Sequence, residues 1–280
     1  MLGGIEIAVL AALVGGAIVL WRRSERRQSV ESWARNSGLQ LTPGNRAYVA
    51  SYLARTRVFR LIGVLVGLFL PWIAGALPKP FDFGLFDALL GYLLGALVAE
   101  LSINRPQGEF PSASLVPRSV SDYLALWYRI ALSVCASLGL GLTLWYNTLP
   151  DRASAGPDAP PPTVVLVVMI VGVWLTVELF QRYIVARRQP AVNLDLVRAD
   201  DAIRSASIHA LAGAGLALEL LVASVMLGEV AGTFNNSLVA WSLGSTAVVL
   251  FGCALGSWIH LTRPFQRREL HPGTDEVLVR

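Results

Sequence analysis

The chain has 280 residues, of which 54% are hydrophobic and only 15% charged, with a formal net charge of +4. Soluble domains carry about 25% charged residues, so this chain lacks the charge to cover a water-exposed surface, and a cytosolic enzyme, a disordered protein and a fibrous repeat are excluded. Two cysteines exclude a disulfide scaffold. What remains is an all-α integral membrane protein, a single membrane domain over 1–280.

A membrane-crossing helix needs roughly 20 mostly apolar residues. Seven stretches qualify: 2–21, 61–77, 85–103, 125–146, 163–184, 206–227 and 238–261. None alternates as a barrel strand does, and helices alone then satisfy the backbone in lipid. In the first stretch no basic residue precedes the apolar core, whereas Arg22-Arg23-Ser24-Glu25-Arg26-Arg27 follows it. That order predicts an uncleaved anchor rather than a signal peptide.

After the anchor, 22–34 reads as a helical extension, with Asn36-Ser37-Gly38 as its C-cap. Thr42-Pro43 then offers an N-cap followed by a proline at the first helical position. Tyr48, Val49, Tyr52 and Leu53 form an apolar stripe at helical spacing, and Arg46, Arg55 and Arg57 add basic charge. The expectation is an amphipathic helix over 43–57 on the inner membrane surface, with those arginines contacting anionic headgroups or a protein partner.

The second and third spans carry Gly63/Gly67 and Gly91/Gly95, and the seventh carries Gly252/Gly256. Such pairs let helix backbones approach closely, and contact within the bundle is expected. The segment 150–162 between the fourth and fifth spans is rich in proline and reads as a spacer. Trp174 sits near the middle of the fifth span, where helix packing explains it.

Lysine and arginine set the orientation. Segments 22–60, 105–129, 182–204 and 263–280 hold 21 of them, against Lys79 and Arg152 on the other side. The N-terminus is expected outside and the C-terminus, with a tail over 265–280, in the cytoplasm. Trp21, Trp127, Tyr128 and Trp258 then fall at the inner interface, and Trp72, Trp145, Tyr146 and Trp241 at the outer. Arginine dominates lysine 22 to one, which points to a GC-rich bacterial genome and a multi-pass protein of the cell membrane. Basic residues spread over four loops do not make a nucleic-acid surface.

An internal repeat is expected. Leu41-Thr42-Pro43 precedes Arg55 as Leu115-Val116-Pro117 precedes Arg129, and Leu196-Val197-Arg198 opens a third unit without the proline. This divides the chain into two-helix units over 41–106, 115–190 and 196–264.

Ionisable residues inside spans are functional hypotheses by default. Arg60, Glu100, Arg129, Glu178, Arg182, His209 and His260 fall near inner helix ends, and are expected to form a ring of interfacial pairs or, alternatively, a polar vestibule. Glu178 and Arg182 are spaced for an i, i+4 ion pair. Glu219 lies about twelve residues into the sixth span, near the bilayer middle. It is expected to face the bundle interior, protonated or paired, with Ser245 and Thr246 as partners. No metal-ligand spacing, nucleotide loop or nucleophile elbow occurs, so no cofactor, metal or catalytic residue is assigned. The leading expectation is a non-catalytic membrane subunit or scaffold. A small ion- or proton-coupled transporter using Glu219 is the alternative, and an intramembrane lipid-modifying enzyme a weaker one.

Overall fold

The computed structural model describes residues 30–74, 84–102, 118–149, 163–187, 194–234 and 236–261. Among them the chain is all-helical. The α-helices are α1 (Val30–Asn36), α2 (Pro43–Ala74), α3 (Gly84–Ser102), α4 (Leu126–Thr148), α5 (Thr163–Ala186), α6 (Leu194–Gly232) and α7 (Ser237–Leu261), with a 3-10 turn over Val120–Asp122 before α4. Four of them, α4 to α7, are long and apolar enough to cross a membrane. The expected anchor over 2–21, the proline-rich spacer and the C-terminal tail lie outside the described residues.

Local chemistry explains the first corner. Gly38 adopts φ 66°, the left-handed region glycine tolerates. Its N–H donates to Arg35 O and the next N–H, of Leu39, donates to Ala34 O, closing α1 as a Schellman motif. Thr42 does not cap α2 with its side chain, as its sequence position suggested. Instead its hydroxyl donates to Asp195 at 2.7 Å, while Asn45 Oδ1 accepts the Thr42 N–H at 2.9 Å.

Consecutive helices pair as antiparallel hairpins: α2 with α3, α4 with α5, and α6 with α7. Glycine makes the first hairpin close. A β-carbon on Gly63 would lie 2.1 Å from Gly91 O, and one on Gly95 would lie 2.2 Å from Phe59 O. Gly252 and Gly256 behave differently: nothing lies within 4 Å of either position, and both face outward. The expected bundle contact therefore forms for the first two glycine pairs and not for the third, because α7 turns Ala247, Ala254 and Leu261 inward instead.

Helix α6 is the axis of the molecule. It touches α2, α3, α4, α5 and α7, and nearly its whole length is buried. Its 39 residues extend about 58 Å, roughly twice the hydrocarbon thickness. The sequence places its span at 206–227. The helix runs unbroken from Leu194 because no proline or glycine interrupts 194–212. Its first three turns are therefore a polar extension of the span.

This extension covers the apolar side of residues 43–57. Tyr48, Val49, Tyr52 and Leu53 do not lie on lipid. They pack with Trp33, Ala34 and Leu39 against Leu196, Ala199 and Ile203 of α6. The apolar stripe is real, but the surface it covers is protein: α6 protrudes far enough to bury it.

Candidate functional site

The charged end of α6 carries a dense polar cluster. Arg204 is 1% exposed, and every donor nitrogen has an acceptor. Nε donates to Asp200 Oδ2 at 2.7 Å, Nη1 to the carbonyls of Ile184 and Val185 at 3.2 and 3.0 Å, and Nη2 to Arg187 O at 2.9 Å. Those carbonyls belong to the last turn of α5 and its exit, where a helix leaves acceptors unsatisfied. Arg204 thus caps α5 from another helix, with its charge at the favourable dipole end.

Arg187 joins the same cluster from the end of α5. Its Nη1 donates to Glu100 Oε2 at 2.7 Å, and its Nη2 lies 3.6 Å from Asp200 Oδ1. Desolvation opposes the Arg187 charge, but Glu100 and Asp200 outweigh it and raise the guanidinium pKa. Tyr48 donates to Asp200 Oδ1 at 3.2 Å. Ser207 donates to Glu100 Oε1 and lies 3.2 Å from the Tyr52 hydroxyl. Burial first, then the Glu100 charge, pushes the Tyr52 phenol up to about 12. Nearby, Asp201 Oδ1 accepts from Arg118 at 3.0 Å and Tyr123 at 3.1 Å. Two arginines and two carboxylates at this depth are costly to desolvate, and their pairing offsets that cost only in part, because Arg187 Nε and Nη2 are buried without a hydrogen-bond partner. Their arrangement is that of a lock: Glu100, Asp200, Arg204 and Ser207 are at most 2% exposed and are closed off from solvent.

The expected ring of inner residues divides into separate groups. Glu100 belongs to the lock. Arg60 stacks over the Tyr92 ring, 5.3 Å from its centroid. Arg129 and Arg182 both donate to Glu178 Oε1, at 2.6 and 2.8 Å, on the outer surface of α4 and α5. His209 is buried with Nδ1 2.8 Å from Ser205 O, whereas His260 is exposed.

Of the three arginines expected to contact lipid or a partner, Arg46 pairs with Glu31 and Arg55 donates to Ser102 O at 2.5 Å. Both tie α2 to its own neighbours. Arg57 is partly buried.

Glu219 faces the interior, 1% exposed, and neither carboxyl oxygen has a hydrogen-bond partner. Ser245 and Thr246 are not its partners. Both are exposed and donate to Ser242 O within their own helix, at 2.9 and 2.8 Å. The inward phase of α7 carries Ala247, so the hydroxyls beside it point away. It is Ser224 of α6 that crosses this interface, donating to Ala247 O at 2.7 Å.

Asp200, Asp201, Arg187, Arg204 and Ser207 are the polar residues that the span pattern overlooked. One signal was present: Asp200 and Arg204 stand four apart in a stretch with no helix breaker, the spacing of a helical ion pair. No family model, curated protein or solved structure matches this chain.

Proposed function

We propose that the chain is a non-catalytic membrane scaffold or subunit whose arginine-rich end holds a membrane or cytoplasmic partner. In this reading seven helices cross the cell membrane, with the N-terminus outside and the scaffold end in the cytoplasm, as the distribution of 21 basic residues against two supports. The observation that carries the proposal is the polar extension of α6. A helix that only crosses a bilayer needs about 20 residues, yet α6 continues through 39, and α1 and α2 are built against the surplus. The buried lock then fixes that end to α3 and α5. Such rigidity suits a platform that presents a surface.

The solvent-facing side of α2, including Ser51 and Ala54, is the accessible face of this platform. A photo-crosslinking residue at Ser51, expressed in native membranes, should give one discrete protein adduct. A crosslinker at the interior position Val49 should give none. No adduct from Ser51 would count against the scaffold.

A second reading keeps one specific observation, the buried Glu219 carboxyl without a partner. Intramembrane carboxyls of that kind serve proton and cation pathways. Reconstitution in proteoliposomes under an imposed proton or sodium gradient separates the two. The scaffold carries no flux, and a flux abolished by Glu219→Gln would establish the transporter instead.

A further inference from the structure

A groove of about 490 Å³ runs up the outer surface between α4 and α5, lined among others by Arg129, Ser133, Ser137, Trp174 and Glu178. We propose that it binds one anionic phospholipid from the leaflet on the arginine side, with the phosphate at Arg129 and Arg182 and an acyl chain along the groove.

Depth supports this occupant. The groove extends from Leu126, at the start of α4, to Ser137. Those eleven steps correspond to about 17 Å along the helix, close to half of a hydrocarbon core of about 30 Å. The length is that of one leaflet. Leu126, Ile130 and Val134 are 54 to 60% exposed along the groove, so the wall is open to an acyl chain arriving from the bilayer.

Charge selects the headgroup. Two guanidiniums share a single carboxylate oxygen, Glu178 Oε1. One positive charge is left over at the groove mouth. The Arg129 and Arg182 side chains are 31% and 65% exposed, so both are reached from the groove mouth. A phosphodiester supplies the missing negative charge, in a geometry that guanidinium groups favour. Higher up, Trp174 Nε1 donates to Ser133 Oγ at 3.2 Å. This contact turns the indole's polar edge onto α4 and leaves an apolar floor beneath the chain. It also accounts for a tryptophan placed far from either membrane interface.

The test uses the purified full-length chain, exposed to mixed micelles of phosphatidylglycerol and phosphatidylcholine with identical acyl chains, and native mass spectrometry of the retained lipid. One phosphatidylglycerol should be retained in preference to phosphatidylcholine. Arg129→Gln and Arg182→Gln should each reduce that preference by about tenfold, the scale of a charge-assisted hydrogen bond. Ser137→Trp, which fills the upper groove from an exposed position, should remove the bound lipid of either type. Glu178→Gln is the decisive variant, because it releases both guanidiniums and should strengthen phosphatidylglycerol retention. Equal retention of the two lipids, or a loss in Glu178→Gln as large as in Arg129→Gln, would reduce the cluster to an ordinary ion pair and overturn the proposal.

Discussion

Arg187 donates a 2.7 Å hydrogen bond to Glu100, and the two side chains are 3% and 2% exposed. They come from the ends of α5 and α3, far apart in sequence, and their contact fixes both ends against α6. Removing one member of such a pair leaves a buried charge uncompensated, which costs about 3–5 kcal/mol. Arg187→Met should therefore lower the unfolding free energy by that amount in detergent. Adding Glu100→Leu to Arg187→Met should recover most of the loss, since the pair as a whole contributes little against a well-packed apolar replacement. Additive effects in the double variant would show that the two residues are not coupled.

Tyr52 gives the fold a dependence on high pH. Its phenol ionises near 10 in the unfolded chain and at about 12 in the folded one, chiefly because burial disfavours the charged form. The folded state therefore holds its proton longer, and the associated stability is intact below pH 10 and declines as pH rises toward 12. The decline amounts to about 2–3 kcal/mol. Alkaline unfolding followed by circular dichroism should show this loss in the native sequence and a flatter profile between pH 10 and 12 in Tyr52→Phe. Identical profiles would mean that the phenol is not held neutral by the fold.

The glycine pairs are predicted to respond in opposite senses. A β-carbon at Gly91 would lie 2.1 Å from the Gly63 carbonyl oxygen, so Gly91→Ala must push α2 and α3 apart, at a cost of about 1–3 kcal/mol or more. At Gly252 a β-carbon meets nothing within 4 Å. Gly252→Ala should be neutral or add up to about 1 kcal/mol through helix propensity. Thermal melts of both variants decide this. A destabilised Gly252→Ala would reveal that the outward face of α7 is packed against something in the native assembly.

Helices were legible in the sequence because apolar runs and their breakers are local. The expected stretches 163–184 and 238–261 differ from α5 and α7 by no more than two residues at either end. Partners were not legible. Asp200 and Arg204 look like loop charges in a hydropathy pattern, and only the arrival of Arg187 and Tyr48 from other helices makes their burial tolerable. The stripe at Tyr48, Val49, Tyr52 and Leu53 announced an apolar partner, but periodicity does not distinguish lipid from protein. The same limit applied to Ser245 and Thr246. Their depth could be counted along the chain, whereas the rotation of α7 depends on which small residues fit against α6.

That rotation changes what substitution of Glu219 should do. With Ser245 and Thr246 as partners, an apolar replacement would have cost two hydrogen bonds. Both carboxyl oxygens are instead buried and unpartnered, and an unsatisfied buried polar group costs about 1–3 kcal/mol by itself. Glu219→Met, close in shape and without polar atoms, should therefore stabilise the bundle by an amount in that range. Glu219→Gln keeps the unsatisfied polar atoms and should leave stability nearly unchanged. Chemical denaturation in detergent measures both. If Glu219 is structural, each variant also keeps the Ser51 crosslink, because the α1–α2 platform is built at the opposite end of α6 from Gly232. If it is a transport site, both variants lose gradient-driven flux while remaining folded. A Glu219→Met variant destabilised by more than about 1 kcal/mol would show that the carboxyl has a bonding partner in the membrane and is not an unpaired interior acid.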